Sequence, residues 1–439
     1  MEADREAEEE ALTFHDDLLH ATAWVERYFE RLPSLPVAAD VRPGDLRAQL
    51  PDSPPEYGEP FDAMLRDLDD VILPALTHWN HPRFFAWIAN TGSEPGILAE
   101  LLIAALNVNA MTWLSSPAAT ELELTVTDWL AQLLGLPRGW HGHLEDTAST
   151  SMIAALAAAR TLRPGGVVYA SEQANFSIER AARLVGLEFR KVETDEAFRM
   201  RSDFPLDDAT AVVATVGTTS TTSVDPVPEL ARRCGEAGVW LHVDAAYAGS
   251  AAVCPELRWC LEGVERADSV VVNPHKWLFT PMDCSALWTQ RPEAFHEAFA
   301  LVPEYLAATE GAVDLKDYGP AVGRRFRALK LWMVLRWYGA QGLRALIREH
   351  VRLAQLFAAL VEADPHWELV APHPFSIVCF RHREGDNDAI AQAATATGEL
   401  FVGSSTLRGR EIIRLAIGNA KTTEADIRRS WEVLRACAR

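Results

Sequence analysis

Lysine is scarce in this chain. Only five of its 439 residues are lysine (Lys191, Lys276, Lys316, Lys330 and Lys421), so arginine carries most of the positive charge. Basic charge as a whole is in short supply, with 41 Lys and Arg against 62 Asp and Glu, a net charge of −21. That balance argues against nucleic acid and against an anionic membrane surface as partners. It does not argue for a cationic substrate, because surface acidity commonly serves solubility. Long apolar runs are missing too, and none reaches the roughly 20 residues of a membrane span. The first ten residues are highly charged and lack the basic start and apolar core of a signal peptide. The six cysteines form no Cys-x-x-Cys pair, which disfavours a metal centre or a disulfide framework and favours reduced thiols. A cytoplasmic enzyme without a metal is the expectation. No internal repeat is visible.

What is present is an ordinary globular composition, 49% hydrophobic and 23% charged, in a chain long enough for more than one domain. Residues 1–32 read as a helix, 33–60 as a proline-rich connector, and about 61–76 as a second helix. Thr77 to Trp87 is dense in aromatics and histidine without a regular period. It is either a core-packing loop or an aromatic pocket wall. Residues 94–110 are apolar nearly all round and predict a buried helix, and Pro117 to Leu134 predicts another.

From 165 to 273 short apolar strands alternate with helices. The strands are 166–170, 187–192, 211–216, 239–243 and 269–272; the helices are about 177–185, 228–237 and 256–264. This is the pattern of a mainly parallel sheet flanked by helices, an α/β fold. Residues 300–323 form a polar stretch and a candidate mobile loop. Residues 324–361 are strongly helical, and 367–439 can form a small α/β domain.

Chemistry-bearing residues concentrate at the ends of these strands. Lys276, in Asn273-Pro-His-Lys-Trp277, directly follows the apolar strand 269–272. Open α/β sheets place ligands at the carboxyl ends of their strands. A lysine held there among apolar neighbours loses pKa and becomes a usable amine nucleophile. Asp244 ends another apolar strand, an expensive place for an unpaired carboxylate. One intervening helix separates it from Lys276, so both can face one crevice. A helix N-cap is the plainer role for Asp244. Before the alanine-rich helix 152–160 stand Thr147, Ser149, Thr150 and Ser151. Capping needs one hydroxyl, and four suggest a phosphate cradle. A lysine for an imine, a carboxylate for a pyridinium nitrogen and a phosphate cradle are the set that pyridoxal phosphate requires.

His242-Val-Asp-Ala-Ala-Tyr-Ala-Gly249 and Asn273-Pro-His-Lys-Trp277 resemble the signatures of the group II pyridoxal-phosphate decarboxylases, in particular the aromatic-L-amino-acid decarboxylases. The likeness extends to His81-Pro-Arg-Phe-Phe-Ala86, Ser116-Pro-Ala-Ala-Thr-Glu-Leu-Glu123, Thr147-Ala-Ser149, Gly217-Thr-Thr219, Pro303-Glu-Tyr-Leu306 and Gly323 to Trp332. It runs in consistent order from about 10 to 430.

The resemblance implies fold type I, with a small C-terminal α/β domain, and a homodimer with active sites at the subunit interface. Residues 1–75 would be an N-terminal helical dimerisation segment, 76–350 the large cofactor domain and 351–439 the small domain. Lys276 would form the imine with the cofactor. Asp244 would pair with the ring nitrogen, and Ala246 would pack on the ring. Thr147, Ala148, Ser149 and Asn273 would hold the phosphate, and Thr219 and His275 would line the cofactor site. Tyr305 matches the tyrosine linked to protonation after carbon dioxide leaves.

The substrate pocket would draw on Trp79, Trp87, Ile88, Ala89 and Asn90, with Asn109 and Met111 from the partner subunit. Gly323 matches a position where glycine goes with indolic substrates, which favours tryptophan. Trp87 and Asn109 depart from the usual family residues. So does Asn175, where family decarboxylases usually carry histidine. Asparagine cannot shuttle a proton near neutral pH. The same exchange marks relatives that decarboxylate and then oxidatively deaminate with oxygen. The expectation is therefore decarboxylation of an aromatic amino acid to its amine. An aromatic acetaldehyde synthase is the second reading, and a catalytically silent cofactor-binding homologue the third.

Overall fold

The computed structural model describes residues 13–88, 90, 92–301 and 311–438. Tyr305 and Ala89 lie outside these residues.

Strands appear where apolar, β-branched runs are bounded by turns. In chain order they are β1 (Phe84–Phe85), β2 (His141–Glu145), β3 (Val167–Ser171), β4 (Glu188–Val192), β5 (Ala209–Thr215), β6 (Trp240–Asp244), β7 (Ser269–Val272), β8 (Ser285–Thr289), β9 (Trp367–Leu369), β10 (Ile377–His382), β11 (Phe401–Leu407) and β12 (Arg410–Ala416). A seven-stranded sheet takes the order β2-β8-β7-β6-β5-β3-β4. Only β8 runs against the others.

The central strands are buried on both faces, as sheets covered by helices require. Along them, alternate residues feed opposite cores. Val212, Ala214, Val270 and Val272 pack on one face. Ala211, Val213 and Val271 pack on the other, under the helix Ala148–Leu162. The register sets Thr215 beside Asp244 and Asp244 beside Val271. The carboxyl ends of β5, β6 and β7 therefore finish level, and the chain after β7 turns directly into Pro274–Trp277.

A second, five-stranded sheet takes the order β1-β11-β12-β10-β9. Its β1 comes from the distant Phe84–Phe85, which pairs parallel with Phe401 and Val402. The helix Arg327–Glu362 spans both sheets and bends at Gly339, whose φ of 59° and ψ of 176° break the helical path. It crosses residue 350 without interruption.

Two expectations are corrected. The segment 256–264 forms 3-10 turns, Pro255–Leu261 and Val264–Arg266, rather than an α-helix. Proline at its start and the left-handed Gly263 leave too little chain for one. The helix Glu94–Leu106 is not buried all round: Leu98, Leu101, Leu102 and Leu106 are 44–57% exposed. One face packs on the helix beginning at Arg327, while the other is apolar and open.

Candidate active site

Lys276 sits on the single helical turn Pro274–Trp277, which Asn273 precedes without making a side-chain capping bond. The turn is immobilised from below. Trp277 is fully buried, stacks on Tyr247 at 5.1 Å between centroids, and donates its indole N–H to His350 Nδ1 at 2.9 Å. Lysine at 276 thus follows a tryptophan-anchored strand exit and opens into a cavity of about 520 Å3. Burial pushes its amine below the usual lysine range, and the charge of Asp244 opposes that shift. Asp244 lines the same cavity at the end of β6. Its Oδ1 accepts the Ala246 N–H at 3.1 Å. Burial raises its carboxyl, while Lys276 and that backbone bond pull the other way. The pair is a buried amine and a buried carboxylate, each the other's main opposing charge.

The helix Ala148–Leu162 aims its N-terminus at this cavity, and Thr147, Ala148 and Ser149 line it. Thr147 is the N-cap residue, yet its side chain makes no capping bond. Its N–H is already engaged by Asp146 Oδ1 at 2.5 Å. The N–H groups of Ala148 and Ser149 have no acceptor among the described residues. Such orphan donors at the start of a 15-residue helix form an anion site. Asn273 joins this end through Ser285 (2.7 Å), which in turn meets Ser151 (2.9 Å). His275 accepts the Cys284 N–H on Nδ1 at 3.0 Å. Burial, reinforced by Lys276, lowers its pKa to about 3, so its imidazole is neutral.

Asn175 and Thr219 line the same cavity as Lys276. The Asn175 amide donates to Thr219 Oγ1 at 3.4 Å, and its oxygen accepts the Ser177 N–H at 2.9 Å. The asparagine is thus held as a local cap and offers no titrating proton. Trp79, Trp87, Ile88 and Asn90 form the outer wall. Both readings of the aromatic stretch 77–87 hold in part: Trp79 and Trp87 stack at 5.3 Å in the pocket wall, while His81, Phe84, Phe85 and Ala86 are buried in the core.

Asn109, Met111 and Gly323 do not reach this cavity within one chain. Asn109 instead accepts the Arg324 N–H at 3.0 Å. The structure also adds residues that sequence reasoning missed. The Thr215 hydroxyl is buried without a hydrogen-bond partner among the described residues, and Thr215 lines the cavity. Arg414 reaches over from β12 and donates to the carbonyls of Thr219 (2.6 Å) and Ser220 (3.0 Å). A lone arginine in the apolar run Ile412-Ile413-Arg414-Leu415 was the available signal. Gly217, Tyr247, Phe176 and Met282 complete the lining.

This donor set fits pyridoxal phosphate: orphan N–H groups for the phosphate, a buried carboxylate for a ring nitrogen, a small Ala246 against a flat ring, and a desolvated amine for an aldehyde carbon. Among the described residues no group of three His, Cys, Asp or Glu side chains is placed to hold a metal ion.

Comparison with known proteins agrees with this chemistry. Residues 43–383 match the pyridoxal-dependent decarboxylase conserved domain. Tyrosine decarboxylase 4 of Petroselinum crispum is 39% identical over 93% of this chain and 90% of its own length. Phenylacetaldehyde synthase of a Rosa hybrid cultivar is 38% identical over 94% of this chain and 91% of its own. The crystal structure of Oryza sativa TDC with PLP and tryptamine superposes with a TM-score of 0.93 at 36% identity, covering 97% of both chains.

Proposed function

The chain belongs to the pyridoxal-dependent decarboxylase family, and from that premise we propose that it removes the carboxyl group of an aromatic L-amino acid, tryptophan foremost, to give the arylalkylamine and carbon dioxide. It is a fold type I, pyridoxal-phosphate-dependent carboxy-lyase. The observation that carries the proposal is the pairing of Lys276 and Asp244 in one cavity with the free N–H groups of Ala148 and Ser149.

Pyridoxal phosphate, when bound, supplies a protonated ring that takes up the electron pair of a breaking bond at the substrate α-carbon. The chain's residues divide the remaining work. Lys276 holds the cofactor's aldehyde carbon with an amine kept below its usual pKa by burial. Asp244 holds a proton at the ring nitrogen. Thr147, Ala148, Ser149 and Asn273 hold the phosphate, and His275, neutral, lines that end without adding charge. Ala246, Asn175 and Thr219 line the same cavity and would bound the ring when it is bound. Trp79, Trp87 and Ile88 exclude water from the aryl group, with Asn90 beside them in the lining. Tyr305 delivers the proton that replaces the departed carboxyl group. Tryptophan is favoured by Gly323 and by the tryptamine bound in the rice relative.

A homodimer belongs to the same proposal. It is supported by the open leucine face of Glu94–Leu106 and by the distance of Asn109, Met111 and Gly323 from their own chain's cavity. These three residues then complete the partner's pocket. Light scattering should report a dimer, and Leu102→Glu should split it. A cytoplasmic setting is supported by the six free cysteines, five of them buried. No helix among the described residues is long and apolar enough to cross a membrane.

Asn175 favours a second reading, an aromatic acetaldehyde synthase. With no imidazole beside Thr219, reprotonation is slower and oxygen has longer to react. One assay separates the two. The holoenzyme is given tryptophan, phenylalanine, tyrosine and dopa, and amine, aldehyde and peroxide are quantified. Amine without peroxide upholds the first reading, and aldehyde with stoichiometric peroxide upholds the second.

A further inference from the structure

A second cavity, of about 750 Å3, lies on the other side of Trp87. It is bounded by the loop 36–40, the helix Asn387–Ala396 and the start of β11. Its size is that of a small-molecule site. Trp87 is the wall it shares with the Lys276 cavity.

The way Trp87 is held is unusual. Its φ is +48°, in the left-handed region that a bulky residue rarely adopts. The ring is kept in place by stacking on Trp79 at 5.3 Å and by an edge contact with Phe401 at 5.2 Å. It nonetheless remains 54% exposed. A strained backbone that presents an open aromatic face between two cavities points to a ligand contact.

The charge of the second cavity is one-sided. Among the described residues, Asp40 and Asp388 are its only charged lining residues, and no Lys, Arg or His joins them. Asp40 is exposed and has no hydrogen bond or ion pair among the described residues. Asp388 is held by Ser404 (2.5 Å) and Gln392 (2.6 Å), so its carboxylate has a fixed position. Phe401 and Trp87 supply the aromatic surface. Two carboxylates beside two aromatic rings select a flat aryl group carrying a cation. An anionic or zwitterionic aryl compound is disfavoured by the same carboxylates.

We propose that this groove is a binding site for a protonated arylalkylamine, distinct from the Lys276 cavity and sharing Trp87 with it. Under the decarboxylase reading, on which this identification with the product rests, the amine leaving the Lys276 cavity has a second place to bind. The groove accepts product and disfavours substrate because decarboxylation removes the one negative charge that Asp40 and Asp388 repel. Product accumulating there stiffens Trp87 in the wall of the active cavity and slows turnover without competing for Lys276.

The test uses holoenzyme whose cofactor has been fixed to Lys276 by borohydride reduction, so that Lys276 is closed to amines. Tryptamine binding is then measured by calorimetry, with indole-3-propionate as the anionic control. The expected result is one tryptamine per chain, weakened at least about tenfold by Asp40→Lys and about as much by Asp40→Asn combined with Asp388→Asn. Indole-3-propionate should bind at least about tenfold more weakly than tryptamine. Asp40→Lys alters an exposed residue without partners, so its loss of binding cannot be laid to misfolding. No tryptamine binding, unchanged binding by both variants, or equal binding of the propionate would each overturn the proposal. Turnover plays no part in this measurement, so an enzyme that proves to make aldehyde leaves the binding result intact.

Discussion

Asp244→Asn isolates the charge of the buried carboxylate from its shape. Asparagine keeps an oxygen for the Ala246 N–H, now bonded at 3.1 Å, and fills the same volume. What it removes is the negative charge opposing the desolvation of Lys276 and available to a protonated ring nitrogen. Leaving a buried charge without its opposing charge costs about 3–5 kcal/mol. If about 3 kcal/mol of that is felt in the transition state, kcat/KM falls by roughly a hundredfold. The assay is carbon dioxide release from tryptophan at saturating pyridoxal phosphate, with cofactor affinity measured separately. Asp244→Ala should fall as far as Asp244→Asn, because charge rather than packing is lost. Asp244→Glu should retain more activity than either. Turnover of Asp244→Asn within threefold of wild type would refute the electrostatic role and leave Asp244 as a cap of the β6 exit.

Three further outcomes are expected. Asn175→His restores a titrating group beside Thr219, and the ratio of aldehyde and peroxide to amine should fall by at least about tenfold, read in the product assay. Gly217→Ala puts a Cβ 2.5 Å from that of Ala248 at a φ of +86°. Left-handed strain and overpacking together should destabilise the fold by about 2–5 kcal/mol in denaturant titrations, and weaken cofactor binding, since Gly217 lines the cavity. Asp225 is buried, accepts the N–H groups of Met200 and Thr215 at 2.7 Å each, and has its pKa raised by burial to about 7. Its folded pKa exceeds its unfolded one, so the native state binds the extra proton. The stability it contributes is complete below about pH 4 and declines as pH rises to about 7. The stability of wild type relative to Asp225→Asn should therefore fall across that window and level off above it, on top of a constant loss of one accepted hydrogen bond.

Much of the site was legible because its signals are local. The strand 269–272 is an unbroken apolar run, and its end fixes where Lys276 emerges. The register that sets Asp244 level with that strand's end follows from two such parallel strands, although the crossover between them is made of 3-10 turns rather than the expected helix. The hydroxyl cluster at 147–151 marks a helix start, although the helix begins at Ala148 rather than 152, because Ala148 to Ser151 continue the helical turn instead of preceding it. What escaped notice depends on distant chain. Arg414 enters the site only because β12 folds back over the loop after Thr219, and β1 joins a sheet built from residues more than 280 positions later. The apolar helix 94–106 reads as buried from its composition. In the single chain all four of its leucines face outward, since a sequence shows that a surface wants covering and not which molecule covers it. Asn175 was conspicuous in the sequence; the structure adds that its amide is tied to Ser177 and Thr219.

The role proposed for Lys276 and its buried surroundings is pyridoxal-phosphate-dependent decarboxylation of an aromatic amino acid. Its most direct test is the release of carbon dioxide from carboxyl-labelled L-tryptophan by wild type and by Lys276→Ala, each loaded with pyridoxal phosphate, with tryptamine measured in the same samples. The account requires labelled carbon dioxide and tryptamine in equal amounts from wild type, and a loss of at least about a thousandfold in Lys276→Ala. Release by Lys276→Ala at the wild-type rate, or no release by wild type from any aromatic amino acid, would contradict it.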